Sequence, residues 1–277
     1  MKKPVAVRKR STSKTKKKSN VGIRIVVLFS FFASLAFGIY HYRNAILYYF
    51  SFKTNKNAKV DKVAQARNNQ VLNNHKDKVF GIDVSEYQGE IDWEEADSIE
   101  NFKIEFVFVR ATCGMDKVDF KFKENWKQVR KQKLIRGAYH YYRPNENSIA
   151  QAKFFIRNVK LQKGDLPPVL DIEQLPENQP VDSLKVGLHR WLDFVEAHYK
   201  VKPIIYTGES YYKDFLKNEF ADYPFWVANY NFWVENIEDD WLFWQLSEKG
   251  FVNGINENVD INIYNGSPKM LKYLTIN

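Results

Sequence analysis

Beyond Val79 one pattern repeats through the 277-residue chain: short apolar runs alternate with longer amphipathic or polar stretches. Runs too short for buried helices, and rich in Val, Ile, Phe and Tyr, read as strands buried on both faces. Eight are present, at 79–84, 105–111, 135–142, 168–172, 203–206, 225–228, 242–246 and 259–263. Between them, 122–132 reads as a helix. Another starts at Ser148, with Gln151 three residues on as its capping-box partner. The clearest helix places Leu184, Leu188, Trp191, Leu192, Val195 and Tyr199 on one stripe, which is core packing. Strands alternating with helices imply βα units. Eight strands in under two hundred residues predict an α/β fold, a compact, incomplete (β/α) barrel of the TIM type.

In such barrels chemistry gathers at the C-terminal ends of strands. Asp83 ends the first run, and Asp171 and Glu173 end the fourth. Asp260 lies near the start of the eighth, so its place on the rim is left open by the sequence. Side chains on a strand alternate faces, which puts Asp171 and Glu173 on one side about 6.6 Å apart. Ionising both at that distance is unfavourable, so one of the two keeps its proton to higher pH. A carboxylic acid protonated near neutrality is what glycoside hydrolysis needs at the leaving oxygen. Two solvated acids at a strand end would look the same, but acids spread over three strand ends are far less common by chance. Strands one and eight become neighbours on closure, which sets Asp83 and Asp260 across a cleft from Asp171 and Glu173.

Aromatic residues thicken at the same ends: Tyr139, Tyr141 and Tyr142, then Tyr206, Trp226 and Tyr230, then Trp244. Sugar rings offer C–H faces to aromatic rings, and their hydroxyls suit Gln88, Gln245 and Arg110. Any single aromatic is more often core; the cluster is the signal.

The first sixty residues follow other rules. They hold 14 of the 42 Lys+Arg and no acid; the remaining 28 basic residues face 33 acids, a net of −5 beyond residue 60. The globular part is mildly acidic, so the basic pI does not indicate nucleic-acid binding. Residues 1–24 read as a basic tail. Residues 25–42 carry no formal charge and span about 27 Å as a helix, close to a hydrocarbon core. A cleavable signal has a shorter apolar region, and the small-residue site Ser34-Leu35-Ala36 falls inside this one. The run therefore reads as a transmembrane signal anchor, with the lysine-rich tail in the cytoplasm and the rest outside. Residues 43–78 have little to bury and read as a linker, leaving 79–277 as the catalytic domain. The single cysteine, Cys113, excludes an intramolecular disulfide, and no HExxH or CxxC spacing suggests a metal.

Taken together, residues 79–265 or so resemble the family 25 glycoside hydrolases, the Chalaropsis-type lysozymes. The resemblance is carried by Gly81-Ile82-Asp83-Val84-Ser85 with Tyr87-Gln88-Gly89, Phe108-Val109-Arg110-Ala111-Thr112-Cys113-Gly114 and Gly137-Ala138-Tyr139-His140-Tyr141. Val169-Leu170-Asp171-Ile172-Glu173, Ile205-Tyr206-Thr207, Phe225-Trp226-Val227-Ala228, Trp244-Gln245 and Val259-Asp260-Ile261-Asn262 complete it. It implies a flattened barrel cleaving the β-1,4 bond from N-acetylmuramic acid to N-acetylglucosamine in peptidoglycan glycan strands, without metal or organic cofactor. It assigns the general acid to Glu173, supporting carboxylates to Asp83, Asp171 and Asp260, and a place in the reacting sugar's subsite to Tyr206. Two positions depart from the family's habit: Arg110 for a frequent lysine and Cys113 for a frequent glutamate. The alternative is a non-catalytic, membrane-anchored glycan-binding module on the same barrel. A chitinase-like hydrolase is disfavoured because Val169 occupies an earlier acid position of its DxxDxDxE pattern.

Overall fold

The computed structural model describes residues 21–51, 61–238 and 240–277. Most of the basic tail, and residues 52–60 of the stretch read as a linker, lie outside them. The chain divides into two units, residues 1–43 and 44–277. In the first, helix α1 (Val21–His41) exposes its apolar side chains from Ile25 to Tyr40. Its Arg24–His41 stretch is long and apolar enough to cross a membrane by length and composition. Helix α2 (Arg43–Ser51) follows at once.

In the second unit the eight expected runs are all strands: β1 (Val79–Val84), β2 (Phe102–Cys113), β3 (Ile135–Tyr141), β4 (Val169–Asp171), β5 (Ile204–Gly208), β6 (Phe225–Ala228), β7 (Trp241–Gly250) and β8 (Val259–Tyr264). Strands β1 to β7 pair in parallel, each with the next. Strand β8 runs antiparallel to both β7 and β1 and closes the sheet. The barrel expected to be incomplete is therefore complete as a sheet. Its helical ring is what falls short. Helices α4 (Phe122–Lys131), α5 (Ser148–Asn158) and α6 (Val181–Tyr199) cover three crossovers. No described helix lies between β6 and β8.

Each strand sends alternate side chains to two cores. Outward residues such as Val107, Val109, Ile205 and Val227 meet the α6 stripe of Leu184, Leu188, Trp191, Leu192 and Val195. Inward residues Phe106, Phe108, Trp226, Phe243 and Tyr264 fill the barrel, with Leu271 of the C-terminal helix α7 (Pro268–Leu274) in the same cluster. Phe108 stacks on Trp226 with centroids 4.4 Å apart. Gly81 makes this filling possible, since a Cβ there would lie 2.5 Å from the Phe106 ring.

Two local expectations change. The cap of α5 is Asn147, whose side chain accepts from Ala150 N. Gln151 instead turns inward, bonding both the N–H and the carbonyl of Arg143. The larger change concerns the linker. Residues Lys62–Asn74 form helix α3, capped by Asp61 and packed on β7 with Val71 and Leu72 fully buried. Gln65 and Asn68 donate to the Lys249 carbonyl, and the Ala45 amide of α2 reaches Gln70. A helix this polar is held by amide-to-carbonyl bonds rather than by an apolar stripe.

Candidate active site

The direction of β8 settles the position of Asp260. Because β8 is antiparallel, its first residues lie at the rim where the parallel strands end, and Asp260 pairs with Asp83 in register. Around that rim, Tyr139 pairs with Arg110, Tyr141 with Asp171, Asp171 with Tyr206, and Asn262 with Gln245. All four acids thus share one mouth, with Glu173 one inward step beyond the end of β4.

One buried carboxylate accepts two side-chain amide bonds. Asp83 is buried, and its Oδ2 accepts from Gln245 Nε2 at 2.7 Å and from Asn262 Nδ2 at 2.8 Å. Both amides are themselves oriented. Gln245 Oε1 accepts from the Tyr206 hydroxyl at 2.6 Å and from the Tyr230 hydroxyl. Asn262 Oδ1 accepts from the Trp226 indole N–H at 2.8 Å. With donors fixed on the oxygen ends, the nitrogen ends must face Asp83.

The acids fall into two interacting pairs. Burial raises Asp83 above the usual carboxylate range, while the Asn262 and Gln245 bonds oppose that rise. Burial first, then the charge of Asp83, raises its half-buried neighbour Asp260. Across the mouth, burial and then Glu173 raise Asp171 well above its ordinary value. Glu173 is exposed at the lip; the protein around its carboxyl raises it, and a bond from Asp171 pulls it back. Both carboxyls of this pair are thus raised, Asp171 the more strongly as the deeper group, and a hydrogen bond joins them. Asp171 Oδ1 is buried with no hydrogen-bond partner among the described residues.

The candidate sugar contacts separate into three groups. Tyr206 lies on the Trp226 ring within the site, and half-buried Tyr141 is raised to about 12 by burial and then by Glu173 and Asp171. Gln245 belongs to the site as a bond donor to Asp83. Tyr139 is buried beneath the acids as part of the floor. Arg110 is anchored between Asp119 at 2.9 Å and Glu86 at 3.1 Å, under the Tyr87 ring. With Tyr87, Cys113, Tyr141, Arg143 and Gln174 it lines a cleft of about 630 Å³ beside Glu173.

Three expectations are corrected. Trp226 is buried inside the barrel, where it supports Asn262 through its indole N–H and Tyr206 through its ring. Trp244 points the opposite way, into the outer core, where its indole bonds the Asn229 carbonyl at 3.0 Å. One alternation step separates it from Gln245, and the two faces of β7 are equally dry. Gln88 has its amide spent on backbone: it accepts from Ser85 N at 2.8 Å and donates to Asn258 O at 3.1 Å. Asn262 is a site residue not singled out from the sequence, and Tyr230 is read there only as one of the aromatic cluster. The D-x-N spacing after Asp260 carries the signal for the first. Among the described residues no cluster suited to a metal ion is present.

Carboxyls paired across the C-terminal mouth of a (β/α) barrel, beside an open polar cleft, define the class: a glycoside hydrolase working by acid–base chemistry. The match to the Glycosyl hydrolases family 25 model covers residues 82–255, and the chain belongs to that family. It is 38% identical to YegX of Escherichia coli K12 over 199 residues, 70% of this chain and 72% of that one. It is 35% identical to lysozyme M1 of Streptomyces globisporus over 214 residues, 72% of each chain. The structure of a bacterial lysozyme from Streptomyces coelicolor superposes with a TM-score of 0.65 at 31% identity, covering 72% of this chain and 97% of that one.

Proposed function

We propose that the protein is a peptidoglycan muramidase, hydrolysing the β-1,4 bond between N-acetylmuramic acid and N-acetylglucosamine, with Glu173 as general acid. The observation that carries this reading is the pairing of Asp171 and Glu173 at the lip of a barrel whose family and lysozyme relatives point to the same activity. Glu173 is the member of its pair that glycan reaches, so it protonates the leaving oxygen. Asp171, deeper and raised more strongly, fixes the position and acidity of Glu173. Asp83 and Asp260 sit across the mouth, where negative charge stabilises the cation developing at the anomeric carbon. Tyr206 and Tyr141 flank the reacting sugar, and the cleft beside Arg110 receives the strand. No observation favours a non-catalytic module.

The anchor reading rests on α1 and the lysine-rich residues before it, which support a single-pass protein with its barrel outside the cytoplasm and its substrate in the wall. Two measurements test the whole. Detergent-solubilised full chain incubated with purified peptidoglycan should release fragments with N-acetylmuramic acid at the new reducing end, read by mass spectrometry. Full-length protein should stay with membranes after an alkaline wash. Intact glycan in the first assay refutes the enzyme; a soluble form starting within 33–37 refutes the anchor.

A further inference from the structure

Arg67 of α3 lies outside the matched family segment, in a stretch with the composition of a linker, yet it is buried. Its guanidinium donates to three backbone carbonyls: Leu246 through Nη1, and Asn231 at 3.1 Å and Val234 at 3.0 Å through Nη2. Leu246 follows Gln245 in β7. Asn231 follows Tyr230 in the loop after β6. The cation therefore bridges the two segments whose side chains meet in the Tyr230–Gln245 hydrogen bond, one residue from each.

The same loop is tied from other sides. Asn229 N donates to Gln245 O at 3.1 Å, and Asn229 Nδ2 donates to Glu209 at 2.6 Å. Asn74 of α3 reaches Glu235 at 3.2 Å. Burial pulls Arg67 down to about 10 while Glu235 works against it, so the side chain is charged at neutral pH. Bonds from a buried cation to carbonyls exceed neutral ones in strength, and no single side chain other than arginine spans three acceptors in one plane. An apolar residue would pack α3 onto β7 as well; what it would not do is fix Leu246 against Asn231.

We propose that Arg67 is a positioning residue for the catalytic acids: by locking the Asn231–Val234 turn against β7 it holds Tyr230 on Gln245, and Gln245 on Asp83. Helix α3 is then part of the catalytic unit rather than a spacer. The inference rests on the muramidase reading for its effect on rate, but not for its effect on Asp83.

The test uses the full chain in detergent with Arg67→Met, Arg67→Lys, Tyr230→Phe and the Arg67→Met/Tyr230→Phe double variant. The titration of the Asp83 carboxyl is followed by ¹³C NMR without glycan. Asp260, Asp171, Glu173, Tyr139, Tyr206 and Tyr230 are the titratable groups around Asp83, and of the segments that carry them Arg67 bonds only the loop of the last. Arg67→Met should move the Asp83 titration upward, because the Gln245 bond that holds it down is loosened. Arg67→Lys should do the same despite keeping the charge. On peptidoglycan, kcat should fall roughly 10-fold with little change in KM, as for a lost transition-state interaction. The double variant should be no worse than the worse single, since both act on one contact. A variant that lowers Tm but leaves the Asp83 titration and kcat in place overturns the proposal, as does full rescue by lysine or strict additivity. If the wild type leaves peptidoglycan uncut, the muramidase reading fails while the Asp83 titration still decides this one.

Discussion

The division of labour between Asp171 and Glu173 yields a prediction whose sign separates two physical accounts. If charge repulsion from Asp171 were what raised Glu173, replacing Asp171 by an uncharged residue would lower the acidity constant that limits activity at alkaline pH. In the structure burial is the largest cause of the rise at Glu173, and the bond from Asp171 opposes it. Asp171→Leu removes that bond while keeping the site dry, so the Glu173 pKa and the alkaline limb of kcat should rise. A hydrogen bond to a charged group contributes about 1.5–3 kcal/mol, or about 1–2 pH units. Glu173 lies at an exposed lip where water screens the interaction, so a shift of about one unit is expected. Asp171→Asn keeps an N–H donor and should leave the limb nearly in place. Glu173→Gln removes the transferable proton, and the rate on intact glycan should fall by ~10²–10⁴. An aryl glycoside with an activated leaving group needs less protonation and should recover part of that loss for Glu173→Gln alone. The assay is the pH dependence of kcat from pH 4 to 9, with thermal unfolding as the control for folding. A downward shift of the limb in Asp171→Leu refutes the hydrogen-bond account. Near-wild-type rates for Glu173→Gln refute the site.

Asp83 and Asp260 have raised carboxyls in the folded state, so their stabilising protonated form is fully present below the ordinary carboxylate range and lost as pH rises through the folded values. Between pH 5 and 8 the wild-type Tm should fall more steeply than that of Asp260→Asn, which should gain ~1 kcal/mol, about 2–4 °C, near pH 8; parallel curves would contradict this. Cys113 is half-buried at the edge of the cleft and has no disulfide partner, so Cys113→Ser should keep kcat/KM within a few-fold; a loss of orders of magnitude with Tm unchanged would assign the thiol a role. Trp244 faces the outer core, so Trp244→Ala should cost ~3–5 kcal/mol of stability and leave KM unchanged at a temperature where the variant is folded. A raised KM with intact stability would restore it to the glycan site.

What the sequence made legible was local. Strand runs are visible because a strand buried on both faces needs continuous apolar residues, and the eight runs all became strands. The α6 stripe was visible for the equivalent helical reason. Three things were hidden because they depend on partners. Helix α3 looks like a linker since Gln65, Arg67 and Asn68 are polar, and only the carbonyls of β7 and its neighbouring loop explain their burial. Trp226 and Trp244 carry no mark of which face they take, because both faces of the sheet are apolar. The direction of β8 is absent from composition altogether.

That direction has a chemical consequence. On parallel β4 the chain climbs toward the rim, so D-x-E places Asp171 low and Glu173 high. On antiparallel β8 the chain descends, so D-x-N places Asp260 high and Asn262 low. The same two-residue spacing read in opposite senses grades the mouth by depth. Low positions hold the strongly raised Asp171 carboxyl and the Asn262 amide. High positions hold exposed Glu173 and half-buried Asp260. Each low group bonds a carboxyl of its own side, Asp171 to Glu173 and Asn262 to Asp83. A fully parallel eighth strand with the same sequence would put Asp260 low and Asn262 high, leave a buried charge without its amide donors, and break the pair with Asp83. The reversal of one strand is what lets two short motifs build one site.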